Sequence, residues 1–342
     1  MPFSNLPLLA VTMGDAAGTG PEIITKAFVE PEVARICRPL VIGDARVMER
    51  ALACTHASAR IHAVSEPSEA VFEPRTINVL DLKNIDLGRL QLGKVDPMPG
   101  QASYEYVLRA VKMALAHEVV GIVTSAINKE SLNLAGHHYD GHTGLLAELC
   151  GSPDATMMLV VDRLRVSHVS THVPLRVAIE RVRPERILKV LELTHQAIRH
   201  FGVENPKIAV AGLNPHAGEH GLFGDEEEKY IEPAILQARS LGMNVSGPYP
   251  GDTVFFRTKQ GEFDGAVAMY HDQGHAAVKM LGIWLGVNVT LGLPIVRTSV
   301  EHGTNFDLAG TGRSDPRSLI EAIKLAAALA QSRRPNTPQL TP

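Results

Sequence analysis

Short runs of apolar residues alternate with amphipathic stretches along most of the chain. The runs LLAVTMG (residues 8–14), VVGIVTS (119–125) and KIAVAGL (207–213) have the length and the β-branched content of buried strands. Between them, YEYVLRAVKMALAHE (104–118) and PERILKVLELTHQAIRHFG (184–202) place apolar residues at helical spacing, and the second ends on a glycine suited to a helix C-cap. Strands that alternate with helices predict an α/β fold with a largely parallel sheet and helices on its faces.

One segment departs from this alternation. ATMMLVVDRLRVSHVSTH (155–172) has two strand-like runs on either side of DRL, which predicts a hairpin and therefore a mixed sheet. The terminal sequence QSRRPNTPQLTP (331–342) is poor in apolar residues, and we expect it to fray. A length of 342 residues exceeds most single hydrophobic cores, so two domains are expected.

The amino-acid composition limits which kinds of partner the protein can bind and which cellular compartment is expected. The net charge is −4 and there is no run of Lys or Arg, so we expect no nucleic-acid or membrane partner. The first residues lack a basic segment followed by a long apolar one, and no apolar run has the length of a transmembrane helix. Cys37, Cys54 and Cys150 are scattered and lack CxxC spacing, which is typical of reduced thiols in a cytoplasmic protein.

In open α/β sheets, ligands bind beyond the carboxyl ends of the strands, so the residues after each strand are the candidates for chemistry. After the first run comes MGDAAGTGPEI (13–23), whose glycines permit a tight turn into a helix. Its spacing is not GxGxxG and does not support a Rossmann dinucleotide site. GHT (141–143) precedes an apolar helical run, so Thr143 is predicted as an N-cap next to backbone N–H groups that would favour an anion. A plain turn and an ordinary cap remain alternatives.

Three histidines each follow a strand-like run: His172, His216 and His271. A single histidine is more often a packed or surface residue, but three at equivalent strand ends favour a metal site of neutral imidazoles. The pair His271 and His275 has the spacing of a helical HxxxH site, although a glycine between them and the absence of a following glutamate argue against a protease helix. His168 lies two pleats before His172, so only His172 is expected to reach a cleft.

Three polar residues recur farther on, each nine positions after the last: Lys279, Asn288 and Arg297. Lys279 and Arg297 could hold a phosphate or a carboxylate, with Arg297 binding in a bidentate manner, or they could be ordinary surface charges. EHGTNFDLAGTGRSDP (301–316) is a glycine-rich loop before a terminal helix. Glycine content alone leaves open whether this loop cradles an adenine nucleotide.

Eight motifs, in order along nearly the whole chain, resemble the 4-hydroxythreonine-4-phosphate dehydrogenase (PdxA) family. They are VTMGDAAGTGPEI, GHT, STHVPL, GLNPHAGE, GDT, MYHDQGH, GVNVTLGLP and RTSVEHGTNFDLAG. The resemblance implies two α/β/α domains like those of isocitrate and isopropylmalate dehydrogenases, and a homodimer with its active site in the interdomain cleft at the dimer interface. The expected domains are residues 1–125 with 290–342, carrying the nucleotide-binding loop, and 126–289, carrying the metal ligands and dimer contacts.

The same resemblance implies roles for individual residues. His172, His216 and His271 fall on the ligands of one divalent metal ion (Zn, Mg, Mn or Co), with His271 supplied by the other subunit. The substrate-binding positions are His142, Thr143, Lys279, Asn288 and Arg297. The catalytic acid–base candidates are Asp252, Asp272 and Lys279. The NAD-binding positions are Gly14, His302, Gly303, Thr304 and Asp307. Asp307 matches a position that is acidic in NAD-dependent isopropylmalate enzymes, so NAD is expected over NADP, unless Asp307 only braces the loop.

The reaction implied is oxidation of a phosphorylated 3-hydroxy acid by NAD, followed by decarboxylation. Enzymes of the vitamin pathway usually read GHTE and HDQGL, whereas this chain has Gly144 and His275 at the variable positions. HDQGH resembles the branch that oxidises 4-phospho-D-threonate or 4-phospho-D-erythronate to dihydroxyacetone phosphate. One alternative is oxidation of 4-phosphohydroxy-L-threonine. Another is a terephthalate-type cis-dihydrodiol dehydrogenase, although that branch tends to lose GHT and the arginine, both present here. A non-catalytic metal- or nucleotide-binding protein is the alternative of another class.

Overall fold

The computed structural model describes residues 6–282 and 284–332, which form two compact units. The first unit comprises residues 6–153 and 293–332, and the second comprises residues 154–292. The sequence analysis expected the domain boundaries after residues 125 and 289, whereas the two units of the structure divide after residues 153 and 292. Segment 126–153 belongs to the first unit because its helix at Lys129–Leu134 packs closely on the preceding helix at Pro97–Leu115.

The first unit contains a parallel sheet in the strand order β3–β4–β2–β1–β5–β12. Its strands are β1 (Leu8–Thr12), β2 (Arg38–Gly43), β3 (Arg60–Val64), β4 (Thr76–Asp81), β5 (Gly121–Thr124) and β12 (Arg297–Val300). Leu9, Ala10 and Val11 are all fully buried, in keeping with a parallel strand that is covered on both faces. The predicted parallel sheet is thereby confirmed.

The helices of the first unit are α1 (Gly20–Phe28), α2 (Pro31–Ile36), α3 (Ala45–Thr55), α4 (Pro97–Leu115), α5 (Lys129–Leu134), α6 (His142–Leu149) and α12 (Arg317–Ser332). Helices α3, α4 and α12 make the main contacts with the strands, and the other helices pack on these three. At Gly100 in α4, a side chain would collide with the backbone of Ser131 in α5. The absence of a side chain lets these two helices approach backbone to backbone, which fixes segment 126–153 to the first unit.

The second unit contains a mixed sheet in the order β11–β6–β7–β10–β8–β9. Its strands are β6 (Thr156–Val161), β7 (Leu164–His168), β8 (Lys207–Ala211), β9 (Asn244–Tyr249), β10 (Gly265–Ala268) and β11 (Val287–Leu291). β6 is antiparallel to both β7 and β11, and the other pairs are parallel. The predicted hairpin is confirmed: Val161 pairs with Leu164 across a two-residue loop in which Asp162 adopts a left-handed φ of 52°.

The helices of the second unit are α7 (Leu175–Glu180), α8 (Pro184–His200), α9 (Glu232–Ser240), α10 (Val254–Lys259) and α11 (His271–Lys279). Helix α8 ends as predicted, with Gly202 at a φ of 90°. From residue 333 onward, the segment predicted to fray lies outside the described residues. Among the described residues, no helix is both long and apolar enough to cross a membrane.

Candidate active site

Arg297 is the first residue of β12 and is only 2% exposed. Its Nη2 donates a hydrogen bond of 2.6 Å to Oγ1 of Thr124, which ends the neighbouring strand β5. Burial lowers the pKa of Arg297 to about 9, because the interior disfavours the charged guanidinium. A bound anion would stabilise that charge. Arg297 is therefore no surface residue, and its position suits an anion-binding role.

His142 begins helix α6 in the same unit. Burial, and secondarily the charge of Arg297, hold the pKa of His142 well below its usual range, so the imidazole is neutral at physiological pH. Its Nε2 atom is buried and has no hydrogen-bond partner within the part of the chain that the structure describes. A buried polar atom without a protein partner is the expected feature of a group that meets a ligand.

The local cap of α6 differs from the prediction. Gly141, at a φ of 141°, occupies the N-cap position, and no side chain caps the helix. The predicted N-cap at Thr143 is wrong, because the glycine reaches a conformation that L side chains rarely adopt and the helix therefore starts earlier. Thr143 lies in the first turn instead, next to His142. The next residue, Gly144, faces Asp140: a Cβ built on Gly144 would lie 2.8 Å from Oδ1 of Asp140.

The loop carrying the predicted NAD-binding residues is fastened to helix α1. The carbonyl oxygen of Thr304 accepts hydrogen bonds from the backbone N–H of Thr19 at 3.0 Å and from its hydroxyl at 3.2 Å. Gly18 permits this approach, since a Cβ there would lie 2.9 Å from the same oxygen.

Two side chains that the sequence analysis did not single out hold the following part of the loop. Glu22 is 3% exposed and accepts hydrogen bonds from the backbone N–H groups of Gly310 at 2.5 Å and Gly312 at 2.9 Å. Lys26, one helical turn later, donates to the carbonyl oxygens of Gly312 at 2.5 Å and Ser314 at 2.7 Å. Glu22 and Lys26 lie on one face of α1, where the carboxylate binds N–H groups of the loop and the ammonium binds its carbonyl groups.

The predicted NAD-binding residues differ in their surroundings. Asp307 and Gly303 are exposed, and His302 is half-buried, where burial lowers its pKa. The exposed carboxylate of Asp307, on a loop fastened to α1, can accept hydrogen bonds from ribose hydroxyl groups. These loop residues therefore fit a dinucleotide. Gly14 has a backbone reason for being glycine: its φ is 77°, and a Cβ would lie 2.5 Å from the carbonyl oxygen of Ala126. A contact of Gly14 with the cofactor stays a prediction.

In the second unit, His172 and His271 lie close together, with ring centroids 5.5 Å apart. His172 is exposed, and His271 is the first residue of α11. Both line a cavity of about 520 Å³ that Tyr270 and Asp272 also border. Nδ1 of His271 lies 2.6 Å from Oδ1 of Asp272, and this hydrogen bond holds the pKa of Asp272 below its usual range. It leaves Nε2 of His271 as the nitrogen for a ligand.

Two more histidines extend this cluster. The ring of His275 stacks on that of His271 at 3.6 Å between centroids and an angle of 12°, and His168 lies 4.7 Å from His275 on its other side. His168 is fully buried at the last position of β7, whereas His172, beyond the end of that strand, is exposed, in agreement with the prediction that only His172 reaches a cleft. Burial, followed by the charge of His271, lowers the pKa of His275 to about 4, so its ring is neutral. His271 and His275, four residues apart, thus both lie in helix α11, and their rings stack on each other.

His216 stands apart from these rings. It is exposed in the turn after β8, and its ring contacts Phe223 at 5.9 Å between centroids. Within one chain, no three His, Cys, Asp or Glu side chains among residues 6–282 and 284–332 converge on a metal position. The imidazoles of His172, His216 and His271 fit a divalent metal by their chemistry. Their meeting through a second subunit stays a prediction.

The remaining predicted site residues also lie in the second unit. Asp252 is exposed after β9, and Lys279 is exposed at the end of α11. Asn288 is half-buried on β11, and its Oδ1 is buried without a hydrogen-bond partner among the described residues. Like Nε2 of His142, this oxygen is available to a ligand.

Comparisons with known proteins agree with the sequence motifs. The family model described as pyridoxal phosphate biosynthetic protein PdxA matches residues 35–326. The D-threonate 4-phosphate dehydrogenase of Cupriavidus necator is 47% identical over 329 residues, 96% of this chain and 98% of the relative. The chain belongs to the PdxA family.

Solved structures place it in the same group. The crystal structure of a 4-hydroxythreonine-4-phosphate dehydrogenase from Burkholderia phymatum is 46% identical, with a TM-score of 0.83 over 95% of this chain and 98% of the other. A terephthalate 1,2-cis-dihydrodiol dehydrogenase from Burkholderia xenovorans is 28% identical, with a TM-score of 0.66 over 95% and 98%. All three named relatives are dehydrogenases, which supports an oxidoreductase.

Proposed function

We propose that this protein oxidises 4-phospho-D-threonate, or its stereoisomer 4-phospho-D-erythronate, with NAD and then decarboxylates the product to dihydroxyacetone phosphate. The observation that carries this proposal is the buried Arg297 together with the buried, unpartnered Nε2 of the half-buried His142, in a chain 47% identical to a D-threonate 4-phosphate dehydrogenase. A phosphate ester is the substrate feature that such a site recognises.

Two groups of this chain support binding of the phosphorylated end. The guanidinium of Arg297 is held in place through Thr124, and its planar fork has the geometry that binds phosphate oxygens. His142 is neutral, so its ring can donate one hydrogen bond without a second buried positive charge next to Arg297. Charge from the arginine and directed hydrogen bonding from the histidine together favour a phosphate over an uncharged group.

The oxidation removes a hydride and a proton from the substrate's secondary alcohol. The hydride passes to the nicotinamide of NAD, and a base of the protein accepts the hydroxyl proton. Asp252, Asp272 and Lys279 are the candidates for this base, and Asp272 already orients His271 through a hydrogen bond. The β-keto acid then loses carbon dioxide, and the resulting enolate is protonated on carbon.

We further propose that His172, His216 and His271 hold a divalent metal ion in a homodimer, with His271 contributed by the second subunit. When bound, such an ion would lower the pKa of the substrate hydroxyl and stabilise negative charge on that oxygen. The support is the chemistry of the donors: three exposed or half-exposed imidazoles, one of them oriented by a carboxylate.

Oxidation of 4-phosphohydroxy-L-threonine is the second candidate, favoured by the shared PdxA fold. The surroundings of Gly144 weigh against it. A glutamate here, as the vitamin-pathway enzymes carry, would start 2.8 Å from the Asp140 carboxylate and add a second negative charge. This chain has no side chain at that position, so one carboxylate that would suit the substrate's amine is missing.

The metal proposal is tested with the purified protein and its His216→Ala variant. Titration with Co²⁺, followed by absorption and calorimetry, should show binding to the wild type and a loss of affinity of at least about tenfold in the variant. NADH formation from 4-phospho-D-threonate should stop after chelation and return when Co²⁺ or Mn²⁺ is added. Turnover at the wild-type rate by a fully chelated enzyme would contradict a metal mechanism. The exposed His220→Ala serves as the matched control.

A further inference from the structure

The turn that carries His216 has an unusual backbone. His216 and Ala217 have φ values of 53° and 52°, and Glu219 and His220 have 43° and 53°. Residues with a Cβ rarely adopt this left-handed region, because the Cβ comes too close to a carbonyl oxygen. Four such residues within five positions persist only when surrounding contacts hold them.

One buried side chain supplies these contacts. Glu227 is 2% exposed, and its Oε1 accepts hydrogen bonds from the backbone N–H groups of Leu213 at 2.7 Å and Asn214 at 2.8 Å. Its Oε2 accepts a third hydrogen bond, at 3.0 Å, from Nδ2 of Asn214. Both oxygens therefore hold the two residues that lead from β8 into the strained turn.

The packing around this carboxylate is close on both sides. A Cβ on Gly212 would lie 3.1 Å from Oε1, and a Cβ on Gly218 would lie 2.8 Å from Oε2. The glutamate thus spans the turn from the residue that follows β8 to a residue just beyond His216. Its place in the sequence, among the acidic residues EEE (226–228), gives no hint of this contact.

We propose that Glu227 is a positioning residue for His216: it fixes the left-handed turn and thereby the direction of the imidazole. This inference rests on the proposed function, which assigns His216 to a divalent metal. A ligand presented on a rigid backbone binds its ion with less loss of conformational freedom, so loosening the turn weakens metal binding without removing a ligand.

The substitution Glu227→Gln tests this arrangement with almost no change in size. The remaining amide oxygen is a weaker acceptor than a carboxylate for the two backbone N–H groups, and the new amide points its own N–H groups at Nδ2 of Asn214, donor against donor. We expect the amides of Leu213 and Asn214 to exchange hydrogen for deuterium faster, in protein free of metal. We also expect the dissociation constant for Co²⁺ to rise about tenfold. Glu228→Gln, an exposed neighbour, should leave both values at those of the wild type.

Rescue separates positioning from a general loss of structure. Glycine adopts left-handed φ without strain, so adding Ala217→Gly to Glu227→Gln should recover part of the lost Co²⁺ affinity. If Glu227→Gln does not fold, Asn214→Ser decides, because it removes only the side-chain bonds to Glu226 and Glu227. Faster exchange at residues 212–218 in that variant supports the inference, and wild-type exchange there contradicts it.

Two results keep this inference distinct from the proposed function. Unchanged exchange and unchanged Co²⁺ affinity in a folded Glu227→Gln would overturn the positioning role. Wild-type Co²⁺ affinity in His216→Ala would instead remove His216 from the metal site. In that case, the exchange of the Leu213 and Asn214 amides still reports whether Glu227 holds the turn.

Discussion

Arg297 and Thr124 lie at the ends of facing parallel segments, and a hydrogen bond of 2.6 Å joins the guanidinium of one to the hydroxyl of the other. This bond fixes a buried positive charge at the carboxyl end of β5, where α/β proteins bind ligands. A guanidinium suits this place because its planar fork can bind a protein group and an anion at the same time, whereas the ammonium of lysine is a single point charge.

Replacing Arg297 by Lys keeps the charge but removes this fork. We expect kcat/KM for the phosphorylated substrate to fall by a factor corresponding to about 1–3 kcal/mol, the range for a lost charge-assisted hydrogen bond. Steady-state kinetics measure the change. Arg35→Lys, on the exposed end of α2, is the control and should be neutral. Wild-type kcat/KM in Arg297→Lys would remove the residue from the anion site.

Glu22→Gln should loosen the loop that is expected to hold NAD. The side chain is buried and accepts two backbone N–H groups, and an amide can accept only through its single oxygen. We expect the free energy of unfolding to fall by about 1–3 kcal/mol, and residues 310–314 to exchange hydrogen faster. KM for NAD should rise more than kcat falls. The exposed Glu30→Gln is the control, and wild-type exchange in the loop would contradict the role of Glu22.

Asp307→Lys should shift cofactor preference from NAD toward NADP. The exposed carboxylate can accept ribose hydroxyl groups and repels a 2′-phosphate, whereas lysine attracts that phosphate. The measurement is kcat/KM with each cofactor in the wild type and the variant. Asp162→Lys, an exposed hairpin residue of the second unit, controls for the change in net charge. Equal kcat/KM for NAD and NADP in the wild type would show that Asp307 only braces the loop.

Asp15 should make stability depend on pH. It is fully buried, and burial raises its pKa from 3.8 to about 6. The folded state therefore binds this proton more tightly than the unfolded state, so its contribution is full below pH 4 and is lost as the pH rises through 6. The shift corresponds to roughly 2–3 kcal/mol.

The substitution Asp15→Asn removes the titrating group, and its side-chain oxygen can still accept the backbone N–H of Ala17. The variant should therefore gain stability relative to the wild type as the pH rises: the difference in free energy of unfolding, variant minus wild type, should be larger at pH 8 than at pH 4. Denaturant unfolding at both values measures the difference. The same relative stability at the two pH values would show that the pKa of Asp15 is not raised.

The sequence predicted the parts of this molecule that follow from periodicity and residue type. The parallel sheet follows from apolar runs that alternate with amphipathic stretches, the hairpin follows from two strand-like runs on either side of DRL, and the structure confirms both. His172 is exposed beyond the end of its strand and His168 is buried within it, as their order along the run predicts. The predicted cap at Thr143 was wrong because Gly141, two positions earlier, adopts a conformation that residue-type preferences do not specify. The segment 126–153 joined the first unit through a backbone contact at Gly100, which leaves no periodic mark.

Glu22 and Glu227 show why part of the candidate site was not predictable. Each is a buried carboxylate whose partners are backbone N–H groups of a distant segment, and backbone groups are the same in every residue. Only the folded chain shows which amides a side chain meets. Side chains that act by their own chemistry could be proposed from the sequence, because His172 follows a strand-like run and Arg297 is a charged residue directly after an apolar run.

The identity of the substrate is decided by comparing three phosphorylated compounds. NADH formation and carbon dioxide release are measured with 4-phospho-D-threonate, 4-phospho-D-erythronate and 4-phosphohydroxy-L-threonine at equal enzyme and metal concentrations. We expect one of the two sugar-acid phosphates to give the highest kcat/KM, with carbon dioxide and dihydroxyacetone phosphate formed in equal amounts. A higher kcat/KM for 4-phosphohydroxy-L-threonine, or no NADH from any of the three, would contradict this expectation.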